Sequence, residues 1–146
     1  MGAEDTGLER FVRGEVDAAQ FPHREHVRMA FEMLRRHDFA ESVWLFSRAL
    51  RVMTARAGKP QAFNQTVTIA FLAVIAERME SGACTDFAAF ERDQRDVFDK
   101  AVLGRWYPRE RLAADLTRRI FVLPDPPGAA AGASATRPGA TAPASR

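Results

Sequence analysis

The sequence predicts an all-α protein: a single compact bundle of five or six helices around a buried central helix at about 63–80, followed by a disordered C-terminal tail. Three observations carry this. From Val67 to Ala76 every residue except Thr68 is apolar. At about 100° per residue those side chains cover the whole circumference of a helix, and a helix apolar all round must be buried. The run is too short to span a bilayer, which takes ~20 apolar residues. On both sides of it, apolar residues recur at three- and four-residue spacing, the pattern of amphipathic helices packed on a core. No segment alternates with the period of two that a half-buried strand needs.

In chain order, residues 1–7 read as a flexible polar N-terminus. Leu8 to Val12 suit a short helix stopped by Gly14, and 15–21 a loop ending on Phe21. Pro22 suits a first helical position. The helix over 22–37 turns Val27, Ala30, Phe31 and Leu34 inward. Its charged residues fall outside that stripe, whereas His23, His26 and His37, all three histidines of the chain, lie within it or at its edge. Asp38 and Glu41 form a capping box for the next helix. That helix buries Val43, Phe46, Leu50, Met53 and Ala57, exposes Ser47, Arg48 and Arg51, and ends at Gly58. Asn64, Gln65, Thr66 and Thr68 sit in the first turn of the central helix. Thr85 caps a helix over 86–103 that carries Phe87, Phe90, Gln94, Val97, Phe98 and Ala101 and breaks at Gly104. Trp106, Tyr107 and Pro108 make a corner, and a last helix over 108–121 turns Leu112, Leu116 and Ile120 inward. Residues 121–123 then run extended. The bundle domain thus occupies 8–125. The stretch 126–146 is rich in Ala, Gly, Pro, Ser and Thr, has no aromatic and no β-branched aliphatic residue, and reads as disordered.

The bulk composition excludes some function classes. One domain of this size buries a core without staples. Cys84 is the single cysteine, so no intrachain disulfide forms, which suits a reducing cytoplasm, and no signal-peptide pattern opens the chain. Residues 1–127 hold 19 Lys and Arg and 19 Asp and Glu; the net charge of +2 comes from Arg137 and Arg146. A neutral body lacks the concentrated basic face that phosphate backbones require, so nucleic acid is not the expected partner, and no membrane span is expected. The excess of Arg over Lys, 19 to 2, and the abundance of Ala fit a GC-rich coding bias.

His23-x-x-His26 places two imidazoles one helical turn apart on one face. At that spacing both can reach a single metal ion, as in bundle-core sites. Zinc or non-haem iron takes at least three protein groups, so a further ligand has to come from elsewhere: Asn64, Gln65, Asp93, Asp96, Asp99 or Tyr107. His37 is excluded, being roughly 16 Å along the axis from His26. Each of these residues also has a plainer reading. The histidines are then core residues satisfied by a carbonyl, and His37 interacts with the helix dipole. Asn64, Gln65 and Thr66 are caps, and the three aspartates pair with Arg92, Arg95 and Lys100 on a solvated face. Trp106 and Tyr107 are core aromatics, and Cys84 is inert for want of a basic neighbour.

Phe21-Pro22-His23-Arg24-Glu25-His26-Val27-Arg28, Phe63-Asn64-Gln65-Thr66-Val67-Thr68 and Arg118-Arg119-Ile120-Phe121-Val122-Leu123-Pro124-Asp125 resemble, in order and spacing, a family of small uncharacterised all-helical bacterial proteins. That family's pattern is F-x-H-R-x-H-V-R-x-A, then Y-H-E-T-I-T-x-A, then a closing R-x-F-V-L-P, and the resemblance covers roughly 10–125. It implies a helical fold and a site of three His and one Glu converging in the core. The first pair matches at His23 and His26; the second is replaced by Asn64 and Gln65. An amide is a poor transition-metal ligand and no general base. Either the metal is lost, leaving a hydrogen-bonding pocket, or a two-His site is completed by water, substrate or another carboxylate. Without metal, His26 can serve as a base and Asn64 or Gln65 can donate to an oxyanion.

The resulting expectation is a small enzyme acting on a small organic molecule, with specialised metabolism as one setting. His23 and His26 are its catalytic residues or ligands to one iron or zinc ion, and Asn64, Gln65, Thr68 and Tyr107 hold the substrate. The alternative is a non-catalytic binding or partner module, a diverged copy of a metal-binding relative.

Overall fold

A computed structural model describes residues 7–126, which form seven α-helices and four 3-10 turns with no strand among them. The all-α class is as the sequence predicts. The flexible start and the disordered tail predicted for 1–7 and 126–146 lie outside the described residues, apart from Gly7 and Pro126.

Helix α1 (Leu8–Val12) buries Leu8 and Phe11. The Phe11 ring centre lies 5.1 Å from that of Phe21 and 4.9 Å from that of Phe46. Gly14 turns the chain at φ +70, and a Cβ added there would come within 2.5 Å of Val52 Cγ1, so a side chain is excluded twice over. A 3-10 turn, Ala18–Gln20, capped by the Asp17 carboxylate, leads to the buried Phe21. Helix α2 (His23–Arg36) starts one residue later than expected, with Pro22 as its N-cap. It buries Val27, Met29, Ala30, Phe31 and Met33, while Leu34 is only partly covered.

Helix α3 (Phe39–Arg56) is capped by Asp38, whose carboxylate accepts from the Glu41 N–H at 2.8 Å. The other half of the expected box is missing: the Glu41 carboxylate lies 3.3 Å from His37 Nδ1 instead. At the other end Lys59 N–H donates to the Thr54 carbonyl at 2.9 Å and Gly58 N–H to that of Ala55 at 3.0 Å. Gly58 has φ +72, the left-handed conformation this closing motif needs. Two faces are corrected. Ser47 is buried, because the Gln65 amide donates to its hydroxyl at 3.0 Å; Ala57 is exposed, because the helix has already ended.

The central helix α4 (Gln65–Ser81) follows a 3-10 turn, Pro60–Ala62, and packs against α2, α3 and the later helix α7 (Asp115–Arg119). Leu72 and Ile75 are fully buried at its middle. Near its end the Arg78 guanidinium donates to both Asp96 carboxylate oxygens, at 2.9 and 2.8 Å, and to Gln94. That bond, the largest cause, holds the Asp96 carboxyl below the usual carboxylate range. Asp96 also meets Arg105 at 3.0 Å, so it pairs with Arg78 and Arg105 and not with its near neighbours in sequence; only Arg92–Asp93 pairs as expected among the described residues.

The predicted helix over 86–103 is broken. Asp86, not Thr85, caps α5 (Phe87–Asp93), accepting from the Ala89 N–H at 2.8 Å. The helix stops at Gln94 (φ −119, ψ 48), and two 3-10 turns follow, Arg95–Phe98 and Lys100–Arg105. Two local forces set the break. Arg78 holds Gln94 and Asp96, and the Asp99 carboxylate starts a new turn by accepting from the Ala101 N–H at 2.9 Å. Asn and Asp side chains compete with the helical ladder in just this way. Gly104 therefore breaks nothing, and Ala101 is exposed.

The last predicted helix is also split, into α6 (Arg109–Ala113) and α7, at Ala114 with ψ 140. Leu116 and Ile120 face outward, at 46% and 49% exposure, and Thr117 is the buried residue. The Thr117 hydroxyl bonds back to the Ala114 and Leu112 carbonyls, which folds the break around it. Beyond α7 the chain runs extended, as expected, and is stitched to the body. Thr66 donates to the Ile120 carbonyl at 2.7 Å and accepts from the Val122 N–H at 3.0 Å. Tyr107 donates to the Val122 carbonyl at 2.8 Å. No helix of the described residues is long and apolar enough to cross a membrane.

Candidate functional site

The first turns of α2 and α4 open onto one cavity of about 460 Å³. Phe46, Leu50 and Met53 of α3 and Leu72 and Ile75 of α4 supply much of its apolar wall, and Lys100 stands at its rim. His23, His26, Asn64 and Thr68 all line it, so four of the six residues singled out in the sequence converge. Gln65 and Tyr107 do not. Gln65 turns toward α3, donating to Ser47 and accepting from Arg51 at 2.7 Å. Tyr107 is buried under the C-terminal segment, with its phenol raised by that burial and donating to Val122.

Each imidazole already has a backbone partner. His23 Nε2 lies 3.1 Å from the Val97 carbonyl oxygen. A carbonyl can only accept, so this contact assigns the proton to Nε2 and leaves a lone pair on Nδ1 of the neutral ring. The ring stands edge-on to Phe71, centres 5.0 Å apart. His26 hydrogen-bonds to the backbone of Phe21, and its ring centre lies 4.4 Å from the Phe21 ring. Burial is the largest influence on both rings and favours their neutral forms. It lowers His26 to about 4, with the neighbouring His23 and Lys100 pushing the same way and the Phe21 bond opposing. His23 is lowered too, by burial first, with Val97 and Asp99 opposing and Lys100 assisting. At neutral pH the site therefore holds two uncharged imidazoles.

The amide and hydroxyl groups are engaged locally. Asn64 Oδ1 caps α4, accepting from the Val67 N–H at 2.9 Å, and Nδ2 donates to Thr117 Oγ1 at 3.1 Å. The Thr68 hydroxyl donates to the Asn64 carbonyl at 2.7 Å. Asn64→Ala is accordingly expected to cost about 2 kcal/mol in chemical denaturation, and Asn64→Ser, which keeps a cap, less than half of that.

A shared metal ion fits this pair poorly. With a metal–nitrogen distance of about 2.1 Å, an ion sits about 3.2 Å from each ring centre, so two tetrahedral imidazoles have centres about 5 Å apart. Here the separation is 6.4 Å. No group of three His, Cys, Asp or Glu is placed to hold an ion among the described residues, and His37 is engaged with Glu41. Holding iron or zinc here takes a ring rotation and ligands beyond these side chains.

Three further groups shape the site. Phe21 stands two residues before His23 and is legible in the sequence as a near neighbour of the pair. Lys100 and the Val97 carbonyl reach the site only because the chain breaks at Gln94, which helical periodicity conceals. Comparison with protein-family models, with curated proteins and with solved structures returned no match.

Proposed function

We propose that this chain binds a small, largely apolar organic molecule in the cavity between α2 and α4. The observation that carries the reading is the cavity itself: about 460 Å³, walled mainly by hydrocarbon, with a few polar groups in its lining. Ligand sites have this size and this mixture. The binding reading is preferred to a catalytic one for two reasons. A general base works best with a pKa near the operating pH, and His26 at about 4 is a weak proton acceptor. The Asn64 and Gln65 amides that would donate to an oxyanion are engaged by Thr117 and Ser47. A catalytic role on the same site rests on His23, whose Nδ1 has no protein partner among the described residues. The resemblance to a His-rich helical family supports a site at this position and supplies no reaction.

The neutral fluorophore N-phenyl-1-naphthylamine tests the reading. One equivalent is expected to bind with enhanced emission. Val67→Trp, which places an indole in the cavity from a half-buried position, is expected to weaken it at least about tenfold while the helical circular dichroism is retained. Equal binding by parent and variant, or no binding by the parent, overturns the proposal.

A further inference from the structure

The cavity lining carries one sign of charge. Lys100 is the charged residue on it, and no Asp or Glu lines it among the described residues. Lys100 is exposed, and its neighbour in sequence, Asp99, is occupied elsewhere. Asp99 is turned to the backbone, capping Ala101. Lys100 is close enough to His23 to act on it electrostatically, and Pro22 and His23 line the cavity where the 14-residue α2 begins without a side-chain cap. The first N–H groups of such a helix carry partial positive charge. Neutral His23 presents a nitrogen that can take up a proton beside an incoming anion.

Resting on the binding reading above, we infer that the occupant is an amphipathic monocarboxylate, its carboxylate at Lys100 and His23 and its apolar body between α3 and α4. The ammonium pairs with the negative charge, and the proton that His23 takes up supplies a donor for the second carboxylate oxygen. A neutral ligand would leave the ammonium with no role in recognition. Anion binding also favours the charged form of His23, so it draws a proton from solution.

Calorimetry with 2-naphthoate and 2-naphthylmethanol tests this, the two probes sharing a ring and differing in the head. Naphthoate is expected to bind about tenfold more tightly. Lys100→Met is expected to abolish that preference while leaving the alcohol's affinity within about twofold. Naphthoate titrated in phosphate and in Tris should show net proton uptake near pH 7, and the alcohol none. If both probes bind the parent equally, or if Lys100→Met keeps the preference, the carboxylate assignment is overturned and the cavity reading stands. If neither binds at millimolar concentration, both fall.

Discussion

Thr66→Val is expected to destabilise the protein by about 3 kcal/mol in urea denaturation, with no change in the size of the side chain. Thr66 is completely buried at the start of α4, and its hydroxyl is used in both directions. It donates to the Ile120 carbonyl and accepts from the Val122 N–H. Valine fills the same volume and deletes both bonds. Each buried backbone group left without a partner costs about 1–3 kcal/mol. The loss falls on the segment after α7, so the variant should also show faster proteolysis near 120–126. A change below about 1 kcal/mol would mean that water enters and replaces both bonds, and the stitched segment would not be the anchor described.

The second large effect is a pH dependence carried by His26. Its folded pKa of about 4 lies below the ordinary histidine value of 6.5, which the unfolded chain retains. Above pH 6.5 the ring is neutral in both states and contributes nothing. As pH falls from 6.5 towards 4, the unfolded chain gains a proton that the folded chain refuses, and stability is lost. Each tenfold difference in proton affinity between the two states corresponds to about 1.4 kcal/mol, so the loss reaches roughly 3 kcal/mol by pH 4. His23, lowered in the same direction, adds to the slope. The neighbouring charges are Lys100, which deepens the effect, and Asp99, which opposes it at His23. His26→Phe removes the proton site and keeps an aromatic ring against Phe21. Its stability should therefore fall less steeply than the parent's between pH 6.5 and 4.5, while carboxylate protonation acts on both. Parallel curves would show that His26 is open to water in solution.

Much of the architecture is legible because it is written in periodicity. The all-round apolar run 67–76, the inward stripe of α2, the Asp38 cap and the Gly58 closure each depend on residues a few positions apart. They emerge where the pattern puts them. The departures share a physical cause. The break at Gln94 is set by Arg78, 16 residues away, and Thr117 is drawn inward by Asn64, 53 residues away. Helical spacing through 86–103 and 108–121 carries no mark of either contact, so the pattern alone points to continuous helices. The site divides along the same line. The histidine pair is visible as polar groups on an apolar stripe; each ring meets one backbone group, of Val97 and of Phe21, while Nδ1 of His23 has no protein partner among the described residues. Gln65 and Tyr107 differ because a polar residue at a helix start or an aromatic at a corner can face several ways, and distant partners choose among them.

The stitching of the extended segment also sets an order of events during synthesis. Thr66 waits for Ile120 and Val122, and Asn64 for Thr117, partners that leave the ribosome more than 50 residues later. Until then the first turn of the central helix has a hydroxyl and an amide exposed next to hydrocarbon that needs covering. Helices α1 to α3 hold local contacts and can collapse early, whereas closing so long a loop is slow and entropically costly. The first turn of the central helix is therefore the last part of the described fold to be completed. A nascent chain arrested before residue 120 would carry every residue that lines the cavity and still leave the Thr66 hydroxyl without its partners.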